Sequence, residues 1–112
     1  MDAFAALADP TRRQIIELLA SKGQLSATDI SDRFKISAPA ISQHLKILRE
    51  TRLLAMEKRK QQRLYQINPE AMSEVEGWVA KMTERWEARY RALDEVLDVE
   101  QQKLKKGKED NE

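Results

Sequence analysis

All three prolines of this chain stand one or two residues after a side chain that can cap a helix: Asp9-Pro10, Ser37-Ala38-Pro39 and Asn68-Pro69. Proline has no amide hydrogen and suits the first turn of a helix. A short oxygen-bearing side chain just ahead of it can accept from the free amides there. A chain punctuated in this way is built from helices that begin near residues 10, 38 and 69.

The stretches between these marks fill in the rest. Asp2 can cap a short first helix with Phe4 and Leu7 on one side. The second runs from about Pro10 to Ser21 with Ile15, Ile16, Leu18 and Leu19 as a wide apolar stripe, and Gly23 lies just past its end. Ser26 with Asp29 approximates a capping box and opens a helix of about two turns, Ile30 and Phe34 inward. After a turn at Lys35-Ile36, Ser37 caps a helix that reaches about Thr51 and presents Ile41, Leu45 and Leu48 on one face. Two short capped helices joined by a tight turn form a helix-turn-helix. Residues 53–67 then read as two strand-like runs around a polar tip, a β-hairpin. From Pro69 the apolar positions Met72, Val75, Val79, Met82 and Trp86 alternate steps of three and four. Tyr90, Leu93 and Leu97 continue after a step of four, as a stutter would. Trp78 widens this stripe.

The expected fold is mainly α with a small β-hairpin. It is a single winged helix-turn-helix domain over residues 1–99, with a recognition helix at 37–51, a wing at 53–67 and a long C-terminal dimerisation helix at 69–99. The Gln/Lys/Glu-rich residues 100–112 are expected to be a charged, frayed tail.

Composition excludes several classes. At 112 residues there is room for one domain. No cysteine is present, so neither thiolate metal sites nor disulfides are available. The single histidine, His44, has no partner for a metal site. Three glycines give no phosphate loop, and no nucleophile stands beside a base. Neither an enzyme, a metal nor a cofactor is expected. No apolar run approaches the length of a membrane span, and the first residues lack signal-peptide features, so a cytoplasmic protein without a membrane partner is expected. The formal charge of +1 hides an asymmetry. Residues 37–69 carry seven Lys/Arg against two Asp/Glu, and residues 70–112 carry eight against twelve. A basic middle beside an acidic end suits a domain that meets a polyanion with one face.

Specific strings resemble the ArsR/SmtB-type winged helix-turn-helix regulators. They are Leu7-Ala8-Asp9-Pro10-Thr11-Arg12-Arg13, then Ile15-Ile16-Glu17-Leu18-Leu19, and above all Ile41-Ser42-Gln43-His44-Leu45-Lys46-Ile47-Leu48. The segment from Trp78 to Trp86 is similar to the last helix of a metal-free subgroup of SdpR type. The resemblance covers roughly residues 3–99. Thr51-Arg52 stand where the family usually carries a small residue and Gly, and Lys60-Gln61-Gln62 replace a Gly common at the wing tip. The paired cysteines and the Asp/His sets of metal-sensing members have no counterpart here.

The resemblance implies a bacterial transcriptional repressor, and the residues indicate how it would work. Ser37, Ala38, Pro39, Ser42, Gln43 and Lys46 fall away from the apolar face of the recognition helix. Gln43 can bond adenine, and Ala38 or Pro39 can touch a thymine methyl. His44 is expected to hydrogen-bond a phosphate or the backbone. Lys58, Arg59, Lys60 and Arg63 of the wing would follow phosphates or enter the minor groove of double-stranded DNA. Arg12 and Arg13 suit an internal pair with Asp9 or Glu17 as well as a DNA contact. Phe4, Leu7, Met72, Val75, Trp78, Val79, Met82, Trp86, Tyr90, Leu93 and Leu97 are the expected homodimer interface. A two-fold pair would read a pseudo-palindromic promoter site, which could be the protein's own. Two alternatives keep the fold: a small organic effector bound near Trp78 and Trp86, or a dimeric protein-interaction module that no longer binds DNA.

Overall fold

The computed structural model describes residues 1–110. Its elements follow the order α1 (Ala3–Leu7), α2 (Pro10–Lys22), β1 (Leu25–Ser26), α3 (Ala27–Ser31), α4 (Ala38–Glu50), β2 (Leu54–Arg59), β3 (Gln62–Ile67) and α5 (Pro69–Asp110). Two compact units divide the chain, residues 1–76 and residues 77–112. The expected single domain over 1–99 is therefore drawn with a boundary inside α5.

The caps read from the sequence are in place. The Ala5 amide donates to Asp2 Oδ1 at 2.8 Å, Arg12 to Asp9 Oδ2 at 3.0 Å, Asp29 to Ser26 Oγ at 3.1 Å and Ala40 to Ser37 Oγ at 3.3 Å. Asn68 Oδ1 accepts from Glu70 N at 3.1 Å at the start of α5. Gly23, at φ 87°, closes α2 with its amide on Leu19 O. α3 is shorter than expected, ending at Ser31, so the turn of the helix-turn-helix takes in residues 32–36.

Ala6, Ile15, Ile16, Leu19, Ile30, Ile41, Leu45, Leu48, Leu53, Leu54, Tyr65 and Ala71 form one buried cluster. Each helix of the first unit thus contributes its apolar side to a shared core, and Leu53 and Leu54 fix the base of the wing in it. β2 and β3 pair antiparallel from Leu54↔Ile67 to Arg59↔Gln62. The sequence pattern anticipates only this hairpin. The structure adds β1, whose Leu25 pairs with Tyr65, giving the order β1-β3-β2.

Two turns are made without glycine. Lys60 has φ 57° at the first position of the two-residue loop Lys60-Gln61. Arg52 has φ 65°, and its amide donates to Arg49 O at 3.0 Å just beyond the end of α4. The left-handed region costs a residue with a Cβ about 1–2 kcal/mol, and Gly returns part of that as unfolded-chain entropy. Arg52→Gly is therefore expected to stabilise the fold by about 0.5–1 kcal/mol, raising Tm by a few degrees in a calorimetric scan. A lower Tm would mean that the Arg52 side chain contributes more than its backbone strain removes.

Helix α5 runs further than expected. The segment read as a frayed tail, 100–112, is helical as far as Asp110, and Asn111 and Glu112 lie outside the described residues. Lys, Gln, Glu and Leu, which dominate residues 100–106, lose little rotamer freedom in a helix. No helix among the described residues is long and apolar enough to cross a membrane.

Candidate nucleic-acid interface

One side of α4 is fixed by the core, and that decides what the other side displays. Ile41, Leu45 and Leu48 are buried, whereas Ser37, Ala38, Pro39, Ser42, Gln43 and Lys46 are all exposed, as expected. At about 100° per residue, Pro39, Ser42, Lys46 and Arg49 fall on one stripe along the flank of α4 next to Leu45. Arg49 is the residue that the sequence reading left out. Its signal was available, since it follows Ser42 by seven residues and Lys46 by three.

β3 stands beside this stripe. Between α4 and the sheet lies a cleft of ≈ 760 Å³ lined by Pro39, Ser42, Gln43, Lys46, Arg49 and Arg63, with Tyr65 and Leu45 among its apolar walls. Strand alternation sorts the wing cations. Lys58 and Arg63 are register partners and share a face with the Met56–Tyr65 pair, the face that reaches the cleft. Like charges directly opposite each other destabilise a strand pair. Lys58 across from Arg63 is thus an arrangement that an anion would relieve.

Arg59 is placed differently. It shares the other face with Glu57, and its Nε donates to Glu57 Oε1 at 3.0 Å. That bond, with help from Gln24 Nε2 at 3.3 Å, holds the Glu57 carboxyl below its usual range. Arg59 is therefore partly neutralised by its own strand, while Lys60 sits exposed at the tip. Within the cleft, Glu50 is the one acid, at 4.0 Å from Lys46.

His44, expected to hydrogen-bond a phosphate or the backbone, has side chains as its nearest polar neighbours. It follows Ile41 by about 300° of rotation, which puts it on the shoulder of the buried face. Its Nδ1 lies 3.4 Å from Arg12 Nη1 and 3.9 Å from Asp9 Oδ2. The two arginines also depart from the acid pairing considered for them. The buried Arg12 donates from Nε to Ala6 O at 2.7 Å, and the exposed Arg13 donates from Nη1 to Leu7 O at 2.6 Å. Both satisfy carbonyls left open at the end of α1, where positive charge is favoured. Arg12 thereby ties α1 and α2 to the back of the recognition helix.

Asp9 is central to that junction. The Arg12 amide first of all, and then the charges of His44 and Arg12, hold its carboxyl below 3.8. A lowered native pKa stabilises the fold at neutral pH, and that contribution disappears as the pH falls through the lowered value. Asn caps nearly as well as Asp. Asp9→Asn should therefore melt lower than the parent at pH 7, and the gap should close below about pH 4. A gap independent of pH would assign the role to the cap alone.

The expected interface residues divide between the units. Leu7, Met72 and Val75 are partly buried against the core of their own chain, so they serve the fold before any partner. Phe4 is partly exposed. In the second unit Trp78, Val79, Trp86, Tyr90, Leu93 and Leu97 are each about half exposed or more, and Met82 is half-buried. The stripe continues to Leu104, past the point where the sequence reading stopped.

Comparison with known proteins gives this arrangement its context. The family described as "Bacterial regulatory protein, arsR family" matches residues 9–55, from α2 through the recognition helix into β2. The transcriptional repressor SdpR of Bacillus subtilis is 36% identical over 78 residues, 70% of this chain and 86% of that protein. This chain belongs to the arsR family. The HTH-type transcriptional regulator Rv2034 of Mycobacterium tuberculosis is 41% identical over 71 residues, 63% of this chain and 65% of that protein. An ArsR-like transcriptional regulator from Rhodococcus sp. RHA1 superimposes with a TM-score of 0.73 at 26% identity, covering 83% of this chain and 87% of that one. As an ArsR-family protein the chain is a winged helix-turn-helix transcriptional regulator and not an enzyme. Thr51-Arg52 in place of the family's small residue and Gly keeps the left-handed turn after α4, now made by Arg52. Among the described residues no three His, Cys, Asp or Glu side chains are grouped to hold a metal.

Proposed function

We propose that this protein is a homodimeric repressor that binds a pseudo-palindromic promoter site in the cytoplasm, with one recognition helix in each half-site. The observation that carries this reading is the continuous surface formed by α4 and the wing. Ser42, Gln43, Lys46 and Arg49 lie with Arg63 around one cleft, and Lys58 is the cross-strand partner of Arg63. The N-terminus of α4 offers free amides to a phosphate. Gln43 supplies a donor–acceptor pair for a base edge, and the cations supply salt-dependent affinity. A module that no longer binds DNA would have no use for the opposed Lys58 and Arg63. An organic effector near Trp78 and Trp86 would have to share the apolar surface of α5 that a second copy covers.

The test is titration of the full chain against the promoter region upstream of its own coding sequence and against random duplex of equal length, at several salt concentrations. Specific binding is expected to exceed non-specific binding by about 10³-fold or more, with a stoichiometry of two chains per site. Equal affinity for both duplexes would overturn the reading. Zinc or arsenite at low micromolar concentration is expected to leave the operator affinity unchanged, because the chain has no thiolate and one imidazole. A chelator-reversible tenfold shift would contradict that.

A further inference from the structure

Of the wing cations Lys58, Arg59, Lys60 and Arg63, only one has an anion of its own. Among the described residues Lys58, Lys60 and Arg63 form no ion pair, whereas Arg59 Nε donates to Glu57 Oε1 at 3.0 Å. An exposed pair of this kind is ordinarily loose, because water and salt compete for both charges. Here the acid is fixed by a second contact. Gln24 Nε2 donates to Oε2, the other oxygen of the carboxylate, at 3.3 Å. Gln24 precedes β1 and Glu57 lies on β2, the two outer strands of the sheet, with β3 between them. The carboxylate is therefore held from the opposite edge of the sheet by one oxygen and offers the other to the guanidinium. Arg59 first, and then Gln24, keeps the Glu57 carboxyl below its usual range, so the pair is charged throughout the neutral range.

The direction of the contact decides what Arg59 can reach. Arg59 is the last residue of β2 and pairs with Gln62 across the loop Lys60-Gln61. Glu57 stands two residues back on the same face, about 7 Å toward the base of the wing. The guanidinium thus folds back along its own strand, leaving Lys60 as the cation at the tip. A phosphate would offer the guanidinium the same kind of anionic, two-oxygen partner as the carboxylate, and Nε cannot serve both. A neutralised guanidinium also presents little charge beyond a Debye length, roughly 8–10 Å at ordinary salt. It therefore displaces no counterion from a duplex.

We propose that Glu57 is a positioning residue acting through Arg59: it occupies the guanidinium in place of a DNA phosphate and withholds that cation from the backbone. This rests on the DNA-binding reading above and adds the element that restrains it. Phosphate contacts supply essentially all of the affinity for random sequence. A cation withheld from them leaves more of the protein free to find its operator.

Glu57→Gln removes the charge and keeps the shape, including an oxygen for Gln24. In the full chain it is expected to raise affinity for a random duplex about fivefold at about 0.1 M salt, and affinity for the operator alike. The slope of log affinity against log salt should steepen by about one unit for each wing engaged. In an Arg59→Ala background the same substitution should change neither quantity. Both side chains are exposed, so each variant should keep the parent's circular dichroism spectrum. An equal gain in the two backgrounds would mean that Glu57 acts on DNA by its charge alone, and would overturn the proposal. No gain in the otherwise unsubstituted chain would overturn it too, because Arg59 would then contribute nothing once released. The parent chain separates this failure from that of the reading beneath it. Salt-dependent binding by the parent with no response to Glu57→Gln discards only the role of Glu57. Absence of salt-dependent binding to either duplex discards the DNA reading itself.

Discussion

A variant carrying Trp86→Glu and Leu97→Glu together is expected to run as a monomer in multi-angle light scattering and to lose operator affinity by about 10²–10⁴-fold. Joining two binding modules makes the second contact intramolecular, and that range is the advantage a dimer holds over its separated halves. Four carboxylates along one dimer seam cannot be solvated without opening it. The winged unit should survive the change. Its buried cluster runs from Ala6 to Ala71, its partly buried margin ends at Val75, and neither substituted residue belongs to it. Far-ultraviolet circular dichroism should accordingly show a helical protein, and random-sequence binding should fall far less than operator binding. A variant that remained dimeric would place the main interface outside the second unit, on surfaces such as Phe4.

The elements that the sequence made readable are those whose boundaries are chemical. Each helix start is fixed by an oxygen side chain, with proline following in three of the cases, so the recognition helix could be placed at 37–51 and is found as Ala38–Glu50 with Ser37 and Thr51 as caps. Elements held by distant partners were less readable. β1 is two residues long and exists because Leu25 meets Tyr65 forty positions away, which leaves no local pattern. The hairpin loop lacks the usual glycine because Lys60 itself takes the left-handed conformation. His44 could have been placed by helix rotation alone, since it falls beside Ile41 and Leu48. Reading it as a hydrogen-bonding partner of a phosphate or the backbone followed its residue type and took no account of its angle. The end of α5 was misread in the opposite sense, because a charged sequence suggests a frayed tail although its residues are good helix formers. In the candidate interface, sequence supplied the cations, but only the strand register separates Arg63, which faces the cleft, from Arg59, which is tied to Glu57.

That separation gives the sharpest test of how the surface reads DNA. Replacing Arg63 with Ala should weaken binding to operator and random duplex almost equally, and the slope of log affinity against log salt should fall by about one unit. Arg59→Ala should do less, because its guanidinium already shares its charge with Glu57 at 3.0 Å. Gln43→Ala should leave random-duplex binding nearly intact and cost about 1–3 kcal/mol on the operator, the size of one lost bidentate base contact. The same loss should appear when the base pair that Gln43 reads is changed in the operator, and the two losses should not add, because they remove one contact from opposite sides. The three variants titrated against both duplexes at several salt concentrations decide the matter. If Gln43→Ala weakened both duplexes alike while Arg63→Ala harmed only the operator, base reading would belong to the wing and positioning to the recognition helix. If Arg59→Ala matched Arg63→Ala in both affinity and salt slope, the Glu57 pairing would have to open on DNA, and the wing would meet the duplex through its tip.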